Sequence, residues 1–473
     1  MNTTETTDIA IIGAGITGLT TAYLLHRDGL QVCVLEKDTR VGGAIRTERK
    51  DGFLVEYGPN SLLDTTPILH DLFRKLNLEN EIEYASDRAK NRYIVRNGRL
   101  MPLPSSPLAF VRSKLFSLSA KLRLLKEPFV CRADPDLDES LADFVRRRLG
   151  DEFLDYAINP FVAGVYAGKP ETLSVRSAFP RLHRLEQEYG SLIKGAFFGA
   201  RKRRKSAETS KSQARMFSFR NGLQTLVDTL GAALADRVST GVTIEAIGRQ
   251  GKLFNIQYRA GGQSVHHTAR ALLLTVPAHA YAALPAKFLQ GPLVDALSQI
   301  AYPPVSMVYF GYASPPTVMS LDGFGFLTPE KEKRNILGTI WNASLFSNRA
   351  PNGGGAFTTF VGGSRQPENA LLPHDRIVDL VRAELEELMG IRVRPDVVVV
   401  KTWEKAIPQY RIGHRAIVER IEQCESAHPG LFIGGNFREG ISVADCIKQA
   451  YAMQDRVNTC MSEESSVEGA TIA

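Results

Sequence analysis

Asp8-Ile-Ala-Ile-Ile-Gly-Ala-Gly-Ile-Thr-Gly-Leu19 is the stretch on which the reading of the fold turns. Its apolar half, Ile9 to Ile12, reads as a buried parallel strand, and Ile16 to Arg27 as the helix that follows. Gly13 permits a tight turn, Gly15 lets the backbone approach a pyrophosphate, and Gly18 lets helix pack close on strand. The free N–H groups at the helix start, around Ala14, Ile16 and Thr17, then face phosphate. Gln31 to Leu35 supplies a second strand, and Glu36 ends it where a carboxylate can accept from a ribose. A glycine turn between strand and helix, with an acid about twenty residues on, is the context that marks dinucleotide binding.

Further along, Gly42-Gly43-Ala-Ile-Arg46 narrows the cofactor to FAD. A second glycine pair beyond the acid, followed by a base, resembles the extension of flavoproteins with two dinucleotide-binding domains. Its role there is close backbone passage along the diphosphate, with a cation to pair it. Near the other end, Gly434-Gly-Asn-Phe-Arg-Glu-Gly-Ile-Ser-Val-Ala-Asp445 sets a glycine pair and a capping serine ahead of a new helix. The N-terminus of that helix would stabilise the negative charge of a reduced isoalloxazine.

The 473 residues give room for two or three lobes, and 44% apolar with 23% charged residues describes a folded globular chain. No stretch approaches the unbroken ~20 apolar residues of a transmembrane helix. Met1 to Thr7 is short and polar, neither signal nor transit peptide, so a cytoplasmic protein is expected. Five scattered cysteines (Cys33, Cys131, Cys424, Cys446, Cys460) suit a reducing compartment and argue against a disulfide frame or a metal site. The net charge of +7 favours acidic small molecules or an anionic membrane surface. No aromatic-plus-basic module supports nucleic acid as a partner.

The pattern is that of an α/β fold with α+β lobes: a discontinuous, Rossmann-like two-dinucleotide-binding FAD domain, a mixed-sheet substrate domain and a helical, membrane-associating domain. The FAD domain is assigned 1–88, 215–277 and 405–462, the substrate domain 89–100 and 278–404, and the helical domain 101–200. Residues 201–214, within the basic run Arg201 to Arg215, are read as a solvated loop. Helices are expected over Pro67 to Leu76, Lys114 to Phe129, Leu141 to Tyr156 and Pro373 to Met389. A small antiparallel ribbon is expected over Val242 to Val276, and strands over Val305 to Tyr312, Ile336 to Trp341, Ala356 to Val361 and Asp396 to Trp403. Phe110 to Val130 interleaves Lys114, Lys121, Arg123 and Lys126 with leucines, a basic amphipathic pattern able to lie on the inner face of the cell membrane. A helix packed on its own domain explains the same pattern.

Asn91-Arg-Tyr-Ile94, Leu103-Pro-Ser-Ser-Pro107, Asn159-Pro-Phe-Val-Ala-Gly164, Phe217-Ser-Phe219, Gly323-Phe-Gly325, Leu337-Gly-Thr339 and Phe360-Val-Gly-Gly-Ser-Arg365 carry a more specific likeness, nearly chain-long. With them the chain resembles the protoporphyrinogen oxidase family of flavoenzymes, within the flavin amine oxidase superfamily. The resemblance implies FAD contacts at Gly13, Ala14, Gly15, Ile16, Thr17, Gly18, Glu36, Lys37, Gly43, Arg46, Tyr57, Gly58, Pro59 and Asn60. It further implies Val242 at the adenine, and Trp403, Ser442, Val443 and Ala444 near the flavin. Arg92 matches an arginine that pairs with a propionate, Leu327, Ile340 and Phe360 match residues that sandwich the macrocycle, and Gly164 matches a backbone contact. The implied reaction is oxidation of a porphyrinogen to a porphyrin with O2 as acceptor and H2O2 as product. The likeness breaks at Tyr166-Ala167 and at Phe437-Arg438-Glu439, where relatives carry other residues.

The residues make the same sense unaided. A large apolar ring with acidic arms wants an aliphatic and aromatic pocket with arginine at its rim, because the planar guanidinium binds carboxylate bidentately. No histidine, carboxylate or cysteine sits in a motif that marks a catalytic acid or base, so none is assigned; His266, His267 and His414 are read as structural, the first two on an exposed strand. Protoporphyrinogen and coproporphyrinogen, O2 and quinone, and monomer and homodimer all stay open. So do a related amine oxidase or desaturase, which Asn436 disfavours, and a non-catalytic flavin-fold escort protein.

Overall fold

The computed structural model describes residues 4–203, 214–317 and 319–471; most of the basic run, 204–213, lies outside the described residues. A seven-stranded sheet is built on Thr4–Ile12. On one side it pairs in parallel with Val32–Leu35, which in turn pairs with Val238–Ser239. On the other it pairs in parallel with Gln263–Leu274. Alternate side chains of Thr4–Ile12 feed two cores: Ile9 and Ile11 pack with Leu19 and Met453, Ala10 and Ile12 with Leu272 and Tyr281. Such two-sided burial is what a continuous apolar run predicts.

The expected ribbon is only half the truth about its third strand. Gln263–Leu274 runs antiparallel to Leu253–Ala260 through its first residues, but its last three pair in parallel with Leu431–Ile433. It is a central strand of the cofactor sheet as well as the ribbon's edge. The cause is written in its burial, which alternates early and becomes continuous from Ala271 to Leu274. His267, expected to be exposed, is buried there and bonds Thr7 Oγ1 at 2.8 Å.

A second seven-stranded sheet runs in the order Val397–Trp403, Val305–Tyr312, Gly355–Gly362, Gly338–Trp341, Gly325–Leu327, Tyr93–Arg96, Arg99–Pro102. One face is covered by the helix His374–Met389, with Ile377, Val381 and Leu385 against Val308, Phe310 and Phe357. The opposite face packs Met307 and Tyr309 on Phe53 and Val55 of Phe53–Glu56, a strand of the N-terminal segment. Phe53–Glu56 itself pairs antiparallel with Thr47–Lys50 in a separate two-stranded sheet.

Two expected helices are broken. Ser117 caps Leu118–Leu125, its Oγ accepting from Ala120 N–H at 3.2 Å, and a 3-10 turn, Glu127–Phe129, holds Pro128. Leu141–Arg148 stops before Gly150, whose φ of +94° no helix continues through. Among the described residues no helix is long and apolar enough to cross a membrane.

Candidate flavin and substrate site

The turn after Ile12 takes the shape its glycines require. Gly13 has φ +106°, and a Cβ on Gly18 would overlap the Gly13 carbonyl oxygen, so helix Ile16–Arg27 can approach only because Gly18 lacks one. Gly15 differs: a Cβ there would meet nothing within 4 Å. Gly15 forms a bridge with Gly42, and Gly42 N–H donates to the Ala14 carbonyl at 2.8 Å, so the two glycine motifs lie against each other. Ala14 N–H donates to Glu36 Oε2 at 2.6 Å, which seats the acid at the mouth of the turn. Lys37 beside it is exposed. Val242 is buried and its N–H donates to the Glu36 carbonyl at 2.9 Å, which leaves only its carbonyl for an adenine.

Arg46, expected to pair with the diphosphate, has protein partners as well. It ion-pairs with Glu48 and lies 4.8 Å over the Tyr57 ring. Arg40, which no motif singled out, donates to the carbonyls of Val41, Gly43 and Ile45 and thereby fixes the glycine loop. Tyr57 donates its hydroxyl to Glu48 at 2.6 Å; burial, and next that carboxylate, push its phenol up to about 12. Trp403 Nε1 donates to the Tyr57 carbonyl at 2.9 Å, tying the Tyr57-Gly58-Pro59-Asn60 loop to the second sheet.

At the chain's return, Ser442 Oγ accepts from Asp445 N–H at 3.1 Å and donates to Asp445 Oδ2 at 2.6 Å, capping the helix that carries Val443 and Ala444. Tyr410 donates to the Asn436 carbonyl at 2.6 Å and stacks on His414, with ring centroids 4.2 Å apart. Cys446 is buried, which pushes its thiol up to about 12 and makes it inert as a redox centre.

The residues expected to enclose a ring share one surface. Leu327 opposes Gly338, which opposes Phe360, while Ile340 opposes Thr358. Because side chains alternate along a strand, Leu327, Ile340, Phe360 and Thr358 point the same way. Met307 opposes Phe360, and Val305 two residues earlier opposes Trp403, so Trp403 belongs to that face too. Gly164 meets it from the helix Asn159–Tyr166: a Cβ there would lie 2.6 Å from Leu327 Cδ2. Arg365 locks this wall, donating to the carbonyls of Thr328 and Asn159 at 2.6 Å each; burial pulls its pKa down to about 10.

Arg92 precedes Tyr93–Arg96, which pairs with Gly325–Leu327, and its guanidinium lies 5.6 Å from the Phe324 ring. Its side chain reaches solvent, yet protein on its other sides lowers its pKa through desolvation. Among the described residues no carboxylate lies within ion-pair distance of it. A cation held this way is available to an acidic ligand. Among the described residues no cluster of metal-ligating side chains occurs.

A family model for flavin-containing amine oxidoreductases matches residues 16–456, and the chain belongs to that family. It is 32% identical to protoporphyrinogen oxidase 2 of Arabidopsis thaliana, over 95% of this chain and 93% of that one. It is also 29% identical to coproporphyrinogen III oxidase of Bacillus subtilis, over 94% and 96%. In fold it matches a crystal structure from Exiguobacterium sp. 255-15 provisionally named a protoporphyrinogen oxidase, with TM-score 0.80, 23% identity and coverage of 97% and 99%. Putrescine oxidase bound to putrescine shares the fold at TM-score 0.71 and 16% identity, over 97% and 100%. The protein is thus a flavin-dependent oxidoreductase, and the free space beside Gly15, where a Cβ would meet nothing within 4 Å, fits the close approach of FAD to the turn.

Proposed function

We propose that the chain oxidises protoporphyrinogen IX to protoporphyrin IX, with O2 as the electron acceptor. The observation that carries this reading is the apolar wall of Leu327, Ile340 and Phe360 beside an unpaired Arg92 at its rim. Bound FAD would supply a two-electron oxidant used three times per porphyrinogen, each turn restored by one O2 with release of one H2O2. The chain's own residues bind and orient. The ring lies on the apolar wall, Gly164 leaves Leu327 room to form part of it, and Arg92 pairs a propionate. In this reading Gly13 to Gly18, Glu36, Lys37, Gly43, Arg46, Tyr57 to Asn60 and the Val242 carbonyl hold FAD, with Trp403 and Ser442 to Ala444 at its flavin end. Segments 1–88, 215–277 and 405–462 form the FAD domain.

Coproporphyrinogen III is the competing substrate, since relatives of comparable identity carry that name. Both are tested by following porphyrin fluorescence after mixing the FAD-loaded protein with each porphyrinogen. Faster turnover of protoporphyrinogen is expected; silence with both overturns the reading. Arg92→Ala should raise KM by about 10- to 100-fold, the worth of a hydrogen bond to a charged group, with FAD content unchanged. Loss of flavin in that variant would place Arg92 elsewhere.

The helical segment joins this reading as a membrane-docking surface. Leu118, Leu122, Leu125 and Phe129 are exposed along one flank, and Ile193, Phe197 and Phe198 along a neighbouring helix, Leu192–Arg203. Glu127, wholly buried, accepts from the N–H groups of Leu192 and Ile193 and so holds the two flanks together. A contiguous outward apolar surface beside Lys114 and Lys126 suits an anionic bilayer, the source of an apolar tetrapyrrole.

A further inference from the structure

A hydrogen-bonded chain of side chains crosses from the second sheet to the Tyr57–Asn60 loop. Thr358, fully buried, donates from Oγ1 to Asn342 Oδ1 at 2.9 Å. Asn342, 4% exposed, donates from Nδ2 to Asn60 Oδ1 at 3.0 Å. Asn60 Nδ2 donates in turn to the Gly58 carbonyl at 3.2 Å. Thr358 lies on the face that carries Ile340 and Phe360, and Asn342 follows strand Gly338–Trp341 directly. Asn60 therefore stands where the ring-binding face meets the Tyr57–Asn60 loop, whose other end Trp403 holds.

The chain has a direction. The Gly58 carbonyl can only accept, so the Asn60 nitrogen faces it and the Asn60 oxygen faces Asn342; the Asn342 nitrogen then faces Asn60, and its oxygen is left to the Thr358 hydroxyl, which donates. An amide has nearly the same shape either way round, so shape alone would not choose; a flip here would set donor against donor in a buried place, a loss on the order of 1–3 kcal/mol per unsatisfied group.

We propose that Asn342, held by Thr358, is a positioning residue that together with the Gly58 carbonyl locks the Asn60 amide in one orientation at the ring-binding face. One N–H and one oxygen lone pair of Asn60 stay free in fixed places, and a ring with N–H donors meets an acceptor of settled position. The proposal rests on the porphyrinogen reading for its ligand.

Three variants test it: Thr358→Val removes the donor that satisfies the Asn342 oxygen, Asn342→Leu removes the relay, and Asn342→Asp presents to Asn60 an acceptor that competes with the Gly58 carbonyl for its N–H. Each is made in the wild type and in an Asn60→Ala background. Porphyrinogen kcat/KM, the affinity for free porphyrin by fluorescence quenching, FAD content and visible circular dichroism of the flavin are measured. Asn342→Asp should lower kcat/KM per bound FAD by about tenfold, the worth of one hydrogen bond, and shift the flavin dichroism. In the Asn60→Ala background the same change should add less than about twofold, because the partner it acts through is gone. An equal loss in both backgrounds would make Asn342 merely structural and overturn the proposal, as would an Asn342→Asp enzyme within about twofold of wild type. If the wild type oxidises no porphyrinogen, the functional reading fails by itself. The dichroism shift, present with Asn60 and absent without it, still decides the relay.

Discussion

Glu56 is buried where the Thr47 hydroxyl and the Leu223 N–H both donate to its carboxylate, at 2.6 and 2.9 Å. Burial outweighs those bonds and raises its pKa from 4.5 to about 7. A folded-state pKa above the unfolded one stabilises fully below about pH 4.5 and ceases to as pH rises through 7, a difference on the order of 3 kcal/mol. Glu56→Gln, which mimics the protonated acid, should flatten the decline in denaturation free energy between about pH 5 and about pH 8. Parallel wild-type and variant curves would show that Glu56 does not cause it. His414 has the opposite sign. Burial lowers its pKa from 6.5 to about 4, so stability falls as pH drops through that window, and His414→Phe, which keeps a ring against Tyr410, should lessen the fall. Neither effect was legible in sequence, where Glu56 and His414 look like ordinary surface-capable residues. Nor was Arg40, whose role depends on three carbonyls that only the folded glycine loop brings together.

Elements were legible wherever their ends carry chemistry of their own. Helix Ile16–Arg27 begins after Gly15 and ends before Asp28-Gly29, as the sequence predicts. The long helices expected over Lys114 to Phe129 and Leu141 to Tyr156 ran through Ser117, Pro128 and Gly150, residues that cap, break and reverse the chain. Those signals were present and were outweighed by apolar periodicity. Packing between elements was not legible: nothing in Asn159-Pro-Phe-Val-Ala-Gly164 says that Leu327 will lie against Gly164. The contact makes a prediction about the substrate wall. Gly164→Ala puts a methyl 2.6 Å from Leu327 Cδ2, the end of a flexible side chain, so Leu327 should swing away from it rather than the helix move. A stability loss of about 1–3 kcal/mol is expected, together with a several-fold higher KM and unchanged flavin content. Adding Leu327→Ala should restore much of the lost stability. A double variant as unstable as the sum of the two single ones would mean that the methyl strikes the backbone instead.

At the scale of the molecule, the chain's departure from the cofactor sheet after Leu274 and return at Leu431–Ile433 were readable from Pro277 and from the closing glycine pair. That Trp403 and Asn342, from the second sheet, would grip the two ends of one short loop was not readable, because it depends on how the sheets face each other. The basic amphipathic segment was seen, but its orientation was not. Lys121 turns inward to the carbonyls of Val111 and Ser113, and Arg123 to that of Arg147, while Leu118, Leu122, Leu125 and Phe129 face out. An apolar surface left outward beside Phe197 and Phe198 predicts binding to vesicles. The protein should sediment with vesicles containing anionic lipid, and less so with neutral ones, since Lys114 and Lys126 add an attraction that salt screens. Combining Leu122→Glu, Phe129→Glu and Phe197→Glu should cut the bound fraction by about tenfold or more, since each burial is worth about 1.5–3 kcal/mol, with FAD content and turnover of dispersed porphyrinogen kept. Wild-type protein that stays in the supernatant at low salt would end the membrane reading. If instead the wild type ran as a dimer that the triple variant dissociates, the same flank would be a surface between two copies of the chain.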